Sequence, residues 1–143
     1  MSEQKINVID MINRYAESVG LSREQVYKPE KGSWNWKMGS AQIKIYIETI
    51  VFNNGTIREY LRIFSPLMEV PQSDQTRFYR HLLELNDGNL GVKLTIIPNS
   101  TWVYATYERD IRGMDYDEVA TCIYDLELWA DKLDDELKNK FGN

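Results

Sequence analysis

Residues 41–66 read AQIKIYIETIVFNNGTIREYLRIFSP. β-Branched and aromatic residues alternate with polar ones on both sides of Asn53-Asn54-Gly55, the pattern of two long strands joined by a turn. Ile43, Ile45, Ile47 and Val51 share one face of the first strand, and Ile57, Leu61 and Ile63 share one face of the second. A two-residue loop at Asn54-Gly55 would pair Ile47 with Arg62 and set apolar against charged side chains. A three-residue loop at Asn53-Asn54-Gly55 pairs Val51 with Ile57 and Ile47 with Leu61, which collects the aliphatic residues on one side. A slip of one residue swaps the faces, so the sequence predicts the three-residue loop, with Gly55 in the left-handed conformation of a bulged turn. The opposite face then carries Lys44, Tyr46, Glu48, Ile50, Phe52, Arg58, Tyr60, Arg62 and Phe64, a mixture suited neither to a core nor to plain solvent surface.

The preceding segment agrees with this assignment. Ser33 to Met38 alternates, and Gly39-Ser40 suits a two-residue turn that pairs Trp36 with Ile43 and Trp34 with Ile45. Both tryptophans therefore join the aliphatic face. Upstream, Val8, Ile9, Ile12, Tyr15, Ala16 and Val19 fall on one stripe of a helix over Glu3–Val19, closed by Gly20. Ser22 to Tyr27 adds a helical turn, with Ser22 and Gln25 as a capping box, before Lys28-Pro29-Glu30-Lys31-Gly32 breaks the chain.

Downstream of Pro66 the sequence reads as a linker, Leu67 to Pro71, and then a helix over Ser73–Asp87 whose apolar side is wide enough to touch more than one neighbour. Leu90–Ile97 and Thr101–Arg109 form a second hairpin around Pro98-Asn99-Ser100. An even-numbered loop there sets Leu90, Val92, Leu94 and Ile96 beside Val103, Ala105 and Tyr107, and leaves Lys93, Thr95, Ile97, Trp102, Tyr104 and Thr106 on the other side. Tyr116 to Lys140 is a long helix with Val119, Cys122, Ile123, Leu126, Trp129, Ala130, Leu133 and Leu137 at core spacing. Asp115 and Glu118 cap its start, and Lys138 and Lys140 complement its end. The expectation is an α+β fold of order α-β-β-β-α-β-β-α over residues 1–143, a single domain, with the first and last helices packed on the aliphatic face of an antiparallel sheet.

The chain has 143 residues, enough to bury a core without a covalent staple. A single cysteine, Cys122, excludes an internal disulfide and a cysteine-based zinc site, and with one histidine, His81, any metal would have to rely on carboxylates. Seventeen basic against 22 acidic residues, with a pI near 4.9, argues against non-specific binding to nucleic acid or anionic membranes. With no signal-peptide pattern or long apolar run, the expected location is cytoplasmic. The sequons at Asn54 and Asn99 read better as turn chemistry.

The element order, the motif Leu82-Leu83-Glu84-Leu85-Asn86 leading through Gly88 into a strand, and a last helix ending Ala130-Asp131-Lys132-Leu133-Asp134 resemble the YbjN-like family. That resemblance implies the fold of type III secretion chaperones: small, acidic, usually dimeric proteins that bind segments of other polypeptides and catalyse nothing.

No catalytic, cofactor or metal site is expected. Cys122 on the apolar stripe reads as a small core residue, and His81 as a boundary or interface residue. Asp115, Asp117, Glu118, Asp134, Asp135 and Glu136 read as helix capping and a solvated helix end. The amphipathic sheet face is the candidate partner-binding surface: Tyr46, Phe52, Arg58, Tyr60, Arg62, Phe64, Trp102 and Tyr104 are of the types enriched where proteins meet. An ordinary solvated face and a face covered by a helix are the alternatives. Phe78, Tyr79, Leu82 and Leu83 are the candidate contact of a homodimer. The reading is a non-catalytic chaperone or regulatory adaptor that binds another polypeptide. The rival is a single-stranded nucleic-acid binder that stacks bases on the same face, against which the acidic pI counts.

Overall fold

A computed structural model describes residues 1–89 and 91–142. The elements run α1 (Glu3–Ser18), α2 (Arg23–Val26), β1 (Tyr27–Lys28), β2 (Ser33–Met38), β3 (Ala41–Val51), β4 (Ile57–Glu69), α3 (Gln75–Gly88), β5 (Lys93–Ile96), β6 (Trp102–Asp110) and α4 (Tyr116–Phe141). The strands form one antiparallel sheet of order β1-β2-β3-β4-β6-β5.

The predicted registers hold. Val51 faces Ile57 and Ile47 faces Leu61. The Gly55 N–H donates to the Phe52 carbonyl at 2.9 Å, and the Phe52 N–H to the Thr56 carbonyl at 2.8 Å. Gly55 sits at φ +84°, the left-handed region that the bulged turn requires. Asn54 Oδ1 accepts from the Thr56 N–H at 3.0 Å, so this asparagine stabilises the turn. Trp36 faces Ile43 and Trp34 faces Ile45. In the second hairpin Leu94 faces Ala105 and Ile96 faces Val103; Leu90 lies outside the described residues.

Two segments depart from expectation. Tyr27–Lys28, read as the end of a helical turn and the start of a break, is a short strand beside Trp34 and Ser33, and the Tyr27 ring stacks on Trp34 at 4.5 Å. The linker expected from Leu67 is instead the end of β4: Leu67 and Met68 are buried, and β4 follows β6 past a register shift between Pro66 and Met68. Burial of two large apolar side chains outweighs the break that a proline signals.

The core lies between the aliphatic face and the helices. Val119, Cys122, Ile123, Leu126, Ala130, Leu133 and Leu137 of α4 are all buried. Asp115 caps α4, its side chain accepting from the Glu118 N–H at 2.8 Å. Beside α4, α1 buries Val8, Ile12, Tyr15 and Ala16. The hairpin tip projects beyond this cover, so Val51 and Ile57 share the aliphatic side yet stay 66% and 60% exposed. Among the described residues no helix is long and apolar enough to cross a membrane.

α3 divides its wide apolar side between two environments. Phe78 and Leu82 turn inward, Phe78 meeting the Phe141 ring edge-on at 5.0 Å. This corrects the four-residue dimer contact expected from the sequence, because two of its members are spent on the protomer's own core. Tyr79 and Leu83 remain outside, 40% and 70% exposed.

Candidate functional site

Fixed registers place the side chains of the sheet's open face in rows. Glu48, Tyr60 and Asp110 form one row, Tyr46, Arg62 and Glu108 the next, and Lys44, Phe64, Thr106 and Lys93 the third. Except for buried Thr106 and the exposed Glu108 and Lys93, these side chains are half-buried. The rings of Tyr46 and Phe64 meet edge to face at 5.8 Å, as do those of Phe64 and Tyr104, so aromatic surface runs without a break across β3, β4 and β6. Edge-to-face pairs of this kind contribute about 0.5–1.5 kcal/mol each beyond the area they bury.

Arg62 is the polar centre of the face. Its Nη1 donates to Tyr46 Oη at 2.8 Å, and Glu108 and Glu48 lie 3.5 and 3.8 Å from the guanidinium. Partial burial opposes the charge, but the Tyr46 hydroxyl and the two carboxylates outweigh it and hold the guanidinium above its ordinary pKa. Arg58 is matched by Asp110 at 3.8 Å. The face therefore presents rings around a pre-positioned, partly neutralised cation, an arrangement that buries well against another polypeptide at low entropic cost.

Of the sequence candidates, Tyr46, Arg58, Tyr60, Arg62, Phe64 and Tyr104 lie together on this face. Phe52 and Trp102 stand at its opposite ends, at the β3–β4 tip and at the start of β6. Glu108, Asp110 and Lys93 complete the rows and were not among the candidates. Their placement depends on β6 lying beside β4, and the connection between those strands runs through α3, where no turn rule fixes a register.

The remaining chemical groups are structural in their surroundings. Cys122 is buried, and burial first, then the neighbouring Cys122 thiol, push the Tyr107 phenol up to about 12. His81 rests between Phe141, 5.4 Å from its ring, and Glu136 at 3.8 Å. Among the described residues no three His, Cys, Asp or Glu side chains gather as metal ligands. The outer edge of β5 is occupied: Asn86 Oδ1 accepts from the Leu94 N–H at 2.7 Å and Asn86 Nδ2 donates to the Leu94 carbonyl at 3.3 Å. At the other edge, β1 pairs, among the described residues, only with Ser33 and Trp34 of β2.

Comparison by sequence finds no matching family model and no matching curated protein. Comparison by structure finds extensive likeness. The chain is similar to a structure of the HopA1–SchA chaperone–effector complex, with a TM-score of 0.66 at 13% identity over 94% of this chain and 98% of that one. It is similar to a structure of the ExsC–ExsE complex, with a TM-score of 0.67 at 13% identity over 94% and 96% of the two chains. YbjN from E. coli, described as a putative transcription regulator, gives 0.64 at 14% identity over 92% of each chain. At such identities the likeness is one of fold, and the fold is YbjN-like and type III secretion chaperone-like.

Proposed function

We propose, from this fold and this face, that the chain is a non-catalytic module that binds a segment of another polypeptide, acting in the cytoplasm as a homodimeric chaperone or regulatory adaptor. The observation that carries the reading is the open face itself: a continuous run of rings from Tyr46 through Phe64 to Tyr104 around Arg62, half-exposed while the aliphatic side takes the helices. The chaperone–effector complex among its structural neighbours supports a polypeptide as the ligand class. Base stacking on the same rings is disfavoured, because both guanidinium groups of the face are already engaged by carboxylates and the chain is acidic overall. Affinity capture from lysate tests the reading. Tyr60→Ala with Arg62→Glu is expected to lose the captured polypeptides while circular dichroism stays unchanged. Retention of every captured partner at wild-type affinity would show that binding occurs elsewhere.

A further inference from the structure

The open face differs in charge from the rest of the molecule. Strand alternation puts Lys28, Lys37, Lys44, Arg58, Arg62 and Lys93 on it, against Glu48, Glu69, Glu108 and Asp110. The face thus has a basic surplus in a chain whose 17 basic and 22 acidic residues leave a net charge of -5. The whole acidic excess lies elsewhere. Both arginines are engaged, Arg62 by Glu48 and Glu108 and Arg58 by Asp110. The lysines are not. Among the described residues no carboxylate lies within salt-bridge distance of Lys28, Lys37, Lys44 or Lys93.

A lysine at the margin of a sheet discourages pairing with another chain, which accounts for Lys28 on β1 and for Lys37, beyond the reach of β1 on β2. That reason does not extend to Lys44, on the interior strand β3, or to Lys93, on a strand whose outer edge Asn86 already meets. These two stand in one row, with Phe64 and Thr106 between them. Neighbouring strands lie about 4.8 Å apart, so the steps from β3 through β4 and β6 to β5 separate the two backbone positions by roughly 14 Å. An extended chain advances about 3.3 Å per residue and turns every second side chain to the same side. Carboxylates four residues apart therefore reach both lysines. The side chain midway between them falls on the Phe64 and Tyr104 rings, which meet edge to face.

We infer that the polypeptide partner of the open face is acidic where it docks: an extended segment with carboxylates at i and i+4, paired with Lys44 and Lys93, and an apolar residue at i+2 laid on the Phe64 and Tyr104 rings. The inference rests on the protein-binding reading above and adds to it the charge and spacing of the ligand. Nucleic acid fits the same lysines less well. It brings a negative charge at every nucleotide, and the acidic excess outside the face repels it, whereas two carboxylates engage the face alone.

Amide NMR spectra of the full chain test it with the end-capped pentapeptide Glu-Ser-Leu-Ser-Glu, and with controls that carry glutamine or lysine in place of both glutamates. The acidic peptide is expected to move the resonances of Lys44, Phe64, Tyr104 and Lys93 and to bind roughly tenfold more tightly than the glutamine peptide, an advantage that shrinks as salt is added. The lysine peptide is expected to leave those resonances in place. Lys44→Glu with Lys93→Glu is expected to reverse the order and prefer the lysine peptide, with circular dichroism unchanged. Equal affinity for the acidic and glutamine peptides overturns the inference. So does an unmoved spectrum up to about 50 mM acidic peptide, a range that covers weak fragment affinities. Oligothymidylate that moves the same resonances at lower concentration than the acidic peptide overturns it in favour of nucleic acid. A captured partner lost by Tyr60→Ala with Arg62→Glu, but held equally by wild type and by Lys44→Glu with Lys93→Glu, removes the acidic segment and leaves the open-face reading standing. A partner lost by neither double variant removes both.

Discussion

Tyr15 of α1 and Glu127 of α4, 112 residues apart in sequence, share a buried hydrogen bond in which the phenol donates to Glu127 Oε1 at 2.6 Å. Among the described residues it is one of two fully buried side-chain hydrogen bonds that hold α1 in place. In the other, Trp34 Nε1–H donates to Asn13 Oδ1 at 2.9 Å, also out of contact with solvent. Aliphatic contacts alone would let α1 slide along α4, whereas two hydrogen bonds with no aqueous substitute specify one position.

The Glu127 pair makes stability depend on pH. Burial raises the Glu127 pKa above the ordinary carboxylate value, and the Tyr15 hydrogen bond only partly offsets this. Burial, then Glu127 itself, push the Tyr15 phenol far above its ordinary value, so Tyr15 remains the donor. The native state then holds the Glu127 proton more tightly than the unfolded chain does. Its contribution is complete below the ordinary carboxylate pKa and is lost as pH rises through the raised one. Glu127→Gln retains an acceptor for Tyr15 without the charge. Urea denaturation is expected to show this variant more stable than wild type near about pH 7 and the difference shrinking toward about pH 4. Tyr15→Phe should cost about 1–3 kcal/mol, more at the higher pH, because it strands a buried carboxylate.

A second consequence concerns the edge of the sheet. Asn86 meets both the N–H and the carbonyl of Leu94 and so takes the place of a neighbouring strand. Asn86→Ala is expected to lose about 1–2 kcal/mol and to leave β5 as an unprotected edge, detectable as concentration-dependent light scattering that wild type does not show. Asn86→Asp keeps the acceptor but not the donor, and should fall between the two.

How much of this was legible in the sequence follows from which rules act over short range. The Gly39 and Gly55 turns fix their registers through residues adjacent in the chain, so the faces of β2, β3 and β4 could be assigned from alternation alone. Asn86 stood in the Leu-rich motif that carried the family resemblance, yet its use as an edge cover depends on α3 lying beside β5, a tertiary fact. The same holds for the division of α3, where Phe78 and Tyr79 look alike in a periodicity count and differ only because Phe141 returns from the end of α4 to meet one of them. Pro66 misled in the opposite direction. A proline within a strand argues against continuation, and β4 continues because Leu67 and Met68 find apolar cover that no local pattern announces.

Gly91 shows where the second hairpin is least tolerant. It sits at φ +78°, and a Cβ there would lie 2.7 Å from Cε2 of Tyr107. Gly91→Ala therefore meets backbone strain and a collision together, and should cost about 2–3 kcal/mol by chemical denaturation. Pairing it with Tyr107→Leu relieves the collision but not the strain, so the double variant should lose less than the sum of the single losses.

The dimer contact is the remaining proposal that a simple measurement decides, because α3 separates core from surface one residue at a time. Phe78 is fully buried against Phe141, so Phe78→Ala should cost about 3–5 kcal/mol wherever the dimer forms. Leu83 is 70% exposed and flanked by Arg80 and Glu84, so Leu83→Glu should leave monomer stability within about 0.5 kcal/mol of wild type. A charge at the centre of a symmetric contact faces its own copy across the two-fold axis, and an apolar patch buried on both sides has no counter-ion for it. Light scattering at micromolar concentration is expected to show wild type as a dimer and Leu83→Glu as a monomer of undiminished thermal stability. A monomeric wild type would remove the homodimer, and a dimeric Leu83→Glu would move the contact away from the outer side of α3.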